Sequence, residues 1–193
     1  MKSSPIGNLV SMVVAKNKDN TVSNLLGINI SKNFMPSIAN STNLDLTKYK
    51  VIRKGVFACN IMHVGRDERL PIALYRDDEP ALVSPAYKTF KVLDEEIVLP
   101  EFLMMFFQRP EFDRLTWFYC DSSIRGGLDW DRFCDIEVPL PSLDTQKKYV
   151  AIHHALEVRK EISHRFEEIL RPLSPILLRG VVEQMEMEKQ ELT

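Results

Sequence analysis

Cysteine is scarce in this chain and does not pair up. Cys59, Cys120 and Cys134 are its three, an odd number with no C-x-x-C spacing, which argues against a disulfide framework and for a reducing cytoplasm. Long apolar runs are absent as well. The best, Phe102–Phe107, falls far short of the roughly 20 residues needed to span a bilayer, so no membrane association is expected. The stretch Ile6–Ala15 is interrupted by Gly7, Asn8 and Ser11, unlike a secretory leader. Glycine is sparse, and neither G-x-G-x-x-G nor a Walker A string occurs, so nothing signals a phosphate cradle or a nucleotide cofactor. The (N/D)-P-P-(Y/F) tetrad of amino-methyltransferases is missing; the nearest string, Asn60-Ile61-Met62-His63, lacks both prolines. No E-x-K or D-x-K of the kind used by nucleases occurs either. The expectation is a chain with no catalytic centre and no cofactor.

What is present is enough for a packed domain with an appendage. Of 193 residues, 45% are hydrophobic, which rules against disorder. Net charge is −2, so any nucleic-acid surface has to arise from local charge.

Prolines at 5, 36, 71, 80, 85, 100, 110 and 139, with six of the seven glycines, fall before residue 141. Residues 1–141 therefore read as a turn-rich domain and residues 142–193 as a helical arm. Runs rich in β-formers predict strands at Leu9–Val14, Tyr49–Ile52, Val56–Cys59, Ile72–Tyr75, Ala81–Val83 and Thr89–Leu93. Proline at the first position predicts helices at Pro100–Gln108 and Pro110–Tyr119. A last strand is expected near Cys134–Val138. Strands followed by helices, without βαβ alternation, indicate an α+β fold.

In the arm, Ser142 can cap a helix that Asp144 suits electrostatically. Ile152, Ala155, Arg159, Ile162, Phe166, Ile169 and Leu173 then step alternately by three and four, a heptad seam with one polar position. Docking on its own domain is one destination for this face. The seam favours a second long helix, in this chain or in a second copy. Pro172 and Pro175 break or kink the arm, and a second helix follows with Leu178, Val181, Val182 and Met185 on one face.

Metal chemistry has weak candidates. Cys59 and His63 are four apart but lack a second ligand pair, and their segment reads as strand into loop. Asp129, Asp131 and Asp135 flank Trp130 and Phe133 and read as polar residues around an aromatic anchor. No metal is expected.

Positive charge concentrates instead. Between Leu46 and Arg66 lie Lys48, Lys50, Arg53, Lys54 and Arg66 with no acid, while Lys32 precedes and Arg69 follows. Such residues neutralise phosphates. A solvated strand edge protected by lysine accounts for the same pattern. Asn60, His63 and Arg66 share the stretch, and Asn and Arg pair bidentately with adenine and guanine edges. Asn60 serves a turn equally well, and Arg66 a phosphate.

Several strings resemble the specificity subunits of type I restriction-modification systems. They are Gly27–Ser37, Tyr49–Asn60, Met62–Arg66, Val83–Tyr87, Ser123–Leu128 followed by Trp130 and Phe133, and Ile136–Leu143 with Gln146 and Lys147. The last matches the family's join between recognition domain and helix. The resemblance covers nearly the whole chain and implies a half-length member: one target-recognition domain and one helical arm. It implies a non-catalytic, cytoplasmic subunit that binds double-stranded DNA. By the same resemblance it works with modification (methyltransferase) subunits and, through the complex, with a restriction (endonuclease) subunit, directing both to a bipartite site. A homodimer would pair two arms. Lys32, Lys48, Lys50, Arg53, Lys54, Asn60, His63, Arg66 and Arg69 are the expected DNA contacts. A recognition module for an orphan or single-chain methyltransferase, and a coiled-coil interaction protein without DNA binding, remain alternatives.

Overall fold

A computed structural model describes residues 2–37, 44–62, 64–120 and 126–191. The chain divides into two compact units, Met1–Val150 and Ala151–Thr193. Within the first, strands β1 (Lys2–Pro5), β2 (Val10–Met12), β3 (Leu26–Ile28), β4 (Phe34–Pro36), β5 (Lys50–Ile52) and β6 (Val56–Cys59) come first. A single helical turn, α1 (Val64–Asp67), precedes β7 (Ile72–Leu74), β8 (Ala81–Val83) and β9 (Lys88–Val92). Helices α2 (Pro100–Phe107), α3 (Pro110–Phe118) and α4 (Trp130–Cys134) lead to β10 (Glu137–Leu140). The result is α+β, as the order of strands and helices requires.

Strand β6 organises the unit. It lies inside the antiparallel sheet β2-β9-β6-β7, and all four of its residues are buried. Alternation sends its side chains to opposite faces. Phe57 and Cys59 join one core with Phe90, Leu103, Phe107, Phe112 and Phe133. Val56 and Ala58 join a second with Ile52, Tyr75, Ala81 and Val83. An apolar run without polar alternation is what a strand covered on both faces needs. Directly across the β6–β9 pair, Phe57 opposes Phe90, and their rings stack at 5.0 Å.

Two pairings were not legible as strands. β1, a polar Lys-Ser-Ser-Pro segment, pairs with β10 from Lys2 opposite Leu140 to Pro5 opposite Glu137. The β3–β4 hairpin closes on a turn in which the Asn29 side chain accepts the N–H of Asn33 at 3.0 Å. The last strand also begins later than expected. Asp129 accepts the N–H groups of Asp131 and Arg132 at 2.8 and 3.3 Å, and this capping starts a helix that takes up Cys134.

Helix α5 (Leu143–Leu170) starts as expected, with the Ser142 hydroxyl accepting the Thr145 N–H at 3.3 Å. Gln146, in its first turns, is fully buried. Its side-chain oxygen accepts the N–H of Leu99, and its amide donates to the carbonyls of Ile97 and Pro141, each at 3.0 Å. Gln146 thereby ties the helix start to the segment ahead of α2. Gln146→Ala should strand these three backbone groups and cost about 3 kcal/mol. The check is a lower urea midpoint at unchanged slope.

In the second unit, Ile162, Phe166 and Ile169 are 62%, 60% and 63% exposed, and Ile152, Ala155, Arg159 and Leu173 are exposed too. The arm breaks where Pro172 follows α5, since proline removes a helical donor and restricts the residue before it. Helix α6 (Leu173–Glu191) resumes with Pro175 in its first turn. No described helix is long and apolar enough to cross a membrane.

Candidate nucleic-acid interface

The tight β5–β6 connection folds the basic run back on itself and divides it between the two ends of β6. Arg53 and Lys54 occupy the turn, where Gly55 takes a φ of +83°. Lys54 pairs there with Asp78 at 2.7 Å, and Arg53 is exposed. At the other end of β6, Lys50 interacts with Cys59, and Asn60 follows directly in the chain. Lys48, in the short turn before β5, is exposed and pairs with Asp45 at 3.1 Å. Hydrogen bonds from Thr47, and then the Lys48 ammonium, hold the Asp45 carboxyl below the usual carboxylate range.

Lys32 belongs to the interior, which corrects its expected role. Its side chain is 5% exposed, its ammonium pairs with Asp113 at 2.6 Å, and it also donates to the Phe107 carbonyl. Burial lowers its pKa, against the raising effect of Asp113. An ammonium so engaged is not offered to a phosphate; it fastens the β3–β4 turn to α3. Asp113 also accepts the Leu70 N–H at 3.2 Å, so the same carboxylate secures the end of the Asn60–Arg69 segment.

Asn60 carries a turn role. Its side-chain oxygen accepts the Met62 N–H at 3.1 Å, and its own N–H donates to Pro71 at 2.9 Å. A bidentate contact to adenine needs that oxygen. His63 lies outside the described residues. Arg66, on α1, is exposed and grips Asp67 through two nitrogens at 2.6 and 3.1 Å. The Asp67 hydrogen bond raises the Arg66 pKa. A surface pair of this kind is weak and can be exchanged for a DNA group. Arg69 is exposed and close enough to Lys32 to repel it.

One feature of the segment had no sequence signature beyond its glycines. Gly65 donates its N–H to the Gly126 carbonyl at 2.7 Å, and Leu128 donates to Ile61 at 2.8 Å. A Cβ placed on Gly65 would sit 2.6 Å from the Gly126 Cα. The two backbones meet at a distance only glycine permits, so Ile61 and Gly65 are clasped to Leu128 and Gly126.

Two cations were missed. Lys16 forms an isolated antiparallel bridge with Lys50. Lys88 lies directly opposite Cys59 in the β6–β9 pair, its ammonium 5.9 Å from the Trp130 ring centre. Lys88 begins a strand that was read for its apolar residues, and only the pairing brings it beside Lys50. Cys59 is fully buried, and burial pushes its thiol up to about 12. Among the described residues no three acidic, histidine or cysteine side chains cluster as a metal would require.

No family model matches this chain, and no curated protein matches it. Solved structures do. An HsdS subunit from Thermoanaerobacter tengcongensis aligns over 91% of this chain and 47% of its own length, with a TM-score of 0.59 at 19% identity. A chain from the type I R-M system, solved for its complex assembly and conformational transition, aligns over 89% of this chain and 43% of its own, with a TM-score of 0.54 at 14% identity. The chain spans under half the length of both, and it has the fold of that part of an HsdS subunit.

Proposed function

We propose that this chain is a DNA-recognition unit of a type I restriction-modification specificity subunit, with no reaction of its own. The observation that carries the reading is the fold likeness, which extends over 91% of the chain and includes the arm as well as the mixed domain. Exposed cations at one end of β6 supply phosphate contacts, and the clasped segments supply a rigid platform on which recognition residues can stand. The arm pairs with a second specificity unit and docks modification subunits, which would flip and methylate the target base. A restriction subunit joins through that complex. Two identical units related by a two-fold axis would read an inverted, bipartite site. Such a complex works where the chromosome is, in the cytoplasm.

The test is co-expression of the chain with its modification subunit, followed by mapping of methylated adenines across the genome. A bipartite methylated motif that appears only when both are present is the expected result. Unchanged methylation, with both proteins expressed and soluble, would overturn the reading.

Within that complex, Arg66, exposed on α1, is the candidate for a base contact. If it reads guanine, Arg66→Ala should weaken binding to the cognate site roughly 5- to 150-fold and leave random DNA nearly unaffected. Equal losses on cognate and scrambled duplexes at one salt concentration would assign it to a phosphate.

A further inference from the structure

Lys50 and Lys88 interact near the end of β6, Lys16 pairs with Lys50 across a backbone bridge, and among the described residues none of the three has a carboxylate partner in a salt bridge. Lys16 and Lys50 face each other in an antiparallel bridge flanked by the hydrogen bonds Asn17 N–H to Tyr49 at 3.1 Å and Val51 N–H to Ala15 at 2.7 Å. This is the closer of the two antiparallel pairings, which brings the side chains together on one face. The Lys50 ammonium is half-buried and donates to the carbonyl of Tyr87. The next residue is Lys88, whose charge reaches Lys50. Burial, then repulsion from Lys88, lowers the Lys50 pKa. Lys88 in turn stands over the Trp130 ring.

Like charges directly across a strand pair destabilise it, and Lys50 and Lys88 are both partly buried, which weakens the screening between them. Lys32, Lys48, Lys54 and Arg66 each have a carboxylate partner. Among the described residues no salt bridge involves Lys16, Lys50 or Lys88. Among the described residues Lys50 has the Tyr87 carbonyl as an acceptor and Lys88 the Trp130 ring, an arrangement that an external anion would complete. Its neighbour is the segment proposed to meet DNA, since Cys59, opposite Lys88, leads straight into Asn60.

We propose that Lys16, Lys50 and Lys88 form a binding site for a phosphate group, which in the working complex is a backbone phosphodiester of the DNA. The identification with DNA rests on the proposed function; the anion site itself does not. A phosphate held by three cations at the edge of a sheet fixes register independently of sequence. It therefore accounts for holding the duplex, while the clasped segment beside it reads.

The experiment uses the full chain and a labelled duplex of arbitrary sequence, titrated at a series of salt concentrations, with thermal midpoints measured in parallel. Lys88→Gln and Lys16→Gln should each reduce the slope of log affinity against log salt by about one. Their midpoints without DNA should stay level or rise, because each relieves repulsion. Structural lysines would behave oppositely, and midpoints falling together with affinity would overturn the proposal. So would unchanged slopes in a chain that binds DNA, a result that leaves the recognition reading intact. If the wild-type chain shows no affinity for duplex at low salt, the recognition reading fails and pyrophosphate decides the site. A midpoint raised by pyrophosphate in wild type but not in Lys88→Gln would assign the site to a free phosphate compound, and no rise in wild type would sink it.

Discussion

If the arm pairs two specificity units as proposed, Ile162→Asp should leave the chain a monomer. Ile162 sits in the middle of the seam Ile152, Ala155, Arg159, Ile162, Phe166, Ile169 and Leu173, all of it exposed in the single chain. Exposed apolar side chains at alternating spacings of three and four fit the matching face of another helix. Withdrawing one such side chain from water contributes about 2 kcal/mol, and a two-fold pair counts it twice. One aspartate per chain should therefore cost about 4 kcal/mol, close to a thousandfold in Kd. Light scattering across a concentration series gives the result, with far-UV circular dichroism confirming that the helix persists. A wild-type chain that stays monomeric at high micromolar concentration, and does not respond to Ile162→Asp, would remove the dimer.

The second large effect is expected at the glycine clasp. Gly126 has a φ of +59° and a Cβ there would lie 2.5 Å from the Gly65 Cα. Alanine at Gly126 thus meets a left-handed backbone and a backbone collision together. Neither obstacle is a flexible side chain that could move aside. Strain at such a φ costs about 1–3 kcal/mol and overpacking about as much again, so Gly126→Ala should lose on the order of 4 kcal/mol. For a unit of this size that is a fall of roughly 8–16 °C in Tm. Gly65→Ala should behave alike, and the double variant should cost less than the sum, because one separation of the two backbones serves both. Gly27, with open space around the position of a Cβ, is the control. Additive losses at Gly65 and Gly126 would mean that the contact between them is not what the substitutions disturb.

Much of the fold was legible in the sequence because local pattern and burial agree there. The run Val56–Cys59 is apolar on both faces of its strand and proved to be buried on both. Proline at the first position located α2 and α3 to within a residue, and Ser142 capped α5. Pro172 marked the break in the arm. These features depend on backbone restriction and hydrophobic periodicity, which act between near neighbours in the chain.

Tertiary structure alone decided which cations face outward and what they face. Lys32 and Lys54 look alike in a sequence, yet one is buried on Asp113 and the other exposed beside Asp78. The difference comes from partners 81 and 24 residues away. β1 carries no strand signal because its partner, β10, supplies the ladder from the far end of the domain. Gln146 was a letter in a resembling string until Ile97, Leu99 and Pro141 closed around it. Lys16 meets Lys50, and Lys88 meets Cys59, across dozens of residues and only through strand pairing. Composition and spacing determined the α+β class and a local excess of positive charge. The location of that charge depended on long-range pairing, since the energy of a lysine is set by the water, carboxylates and other lysines that the fold places around it.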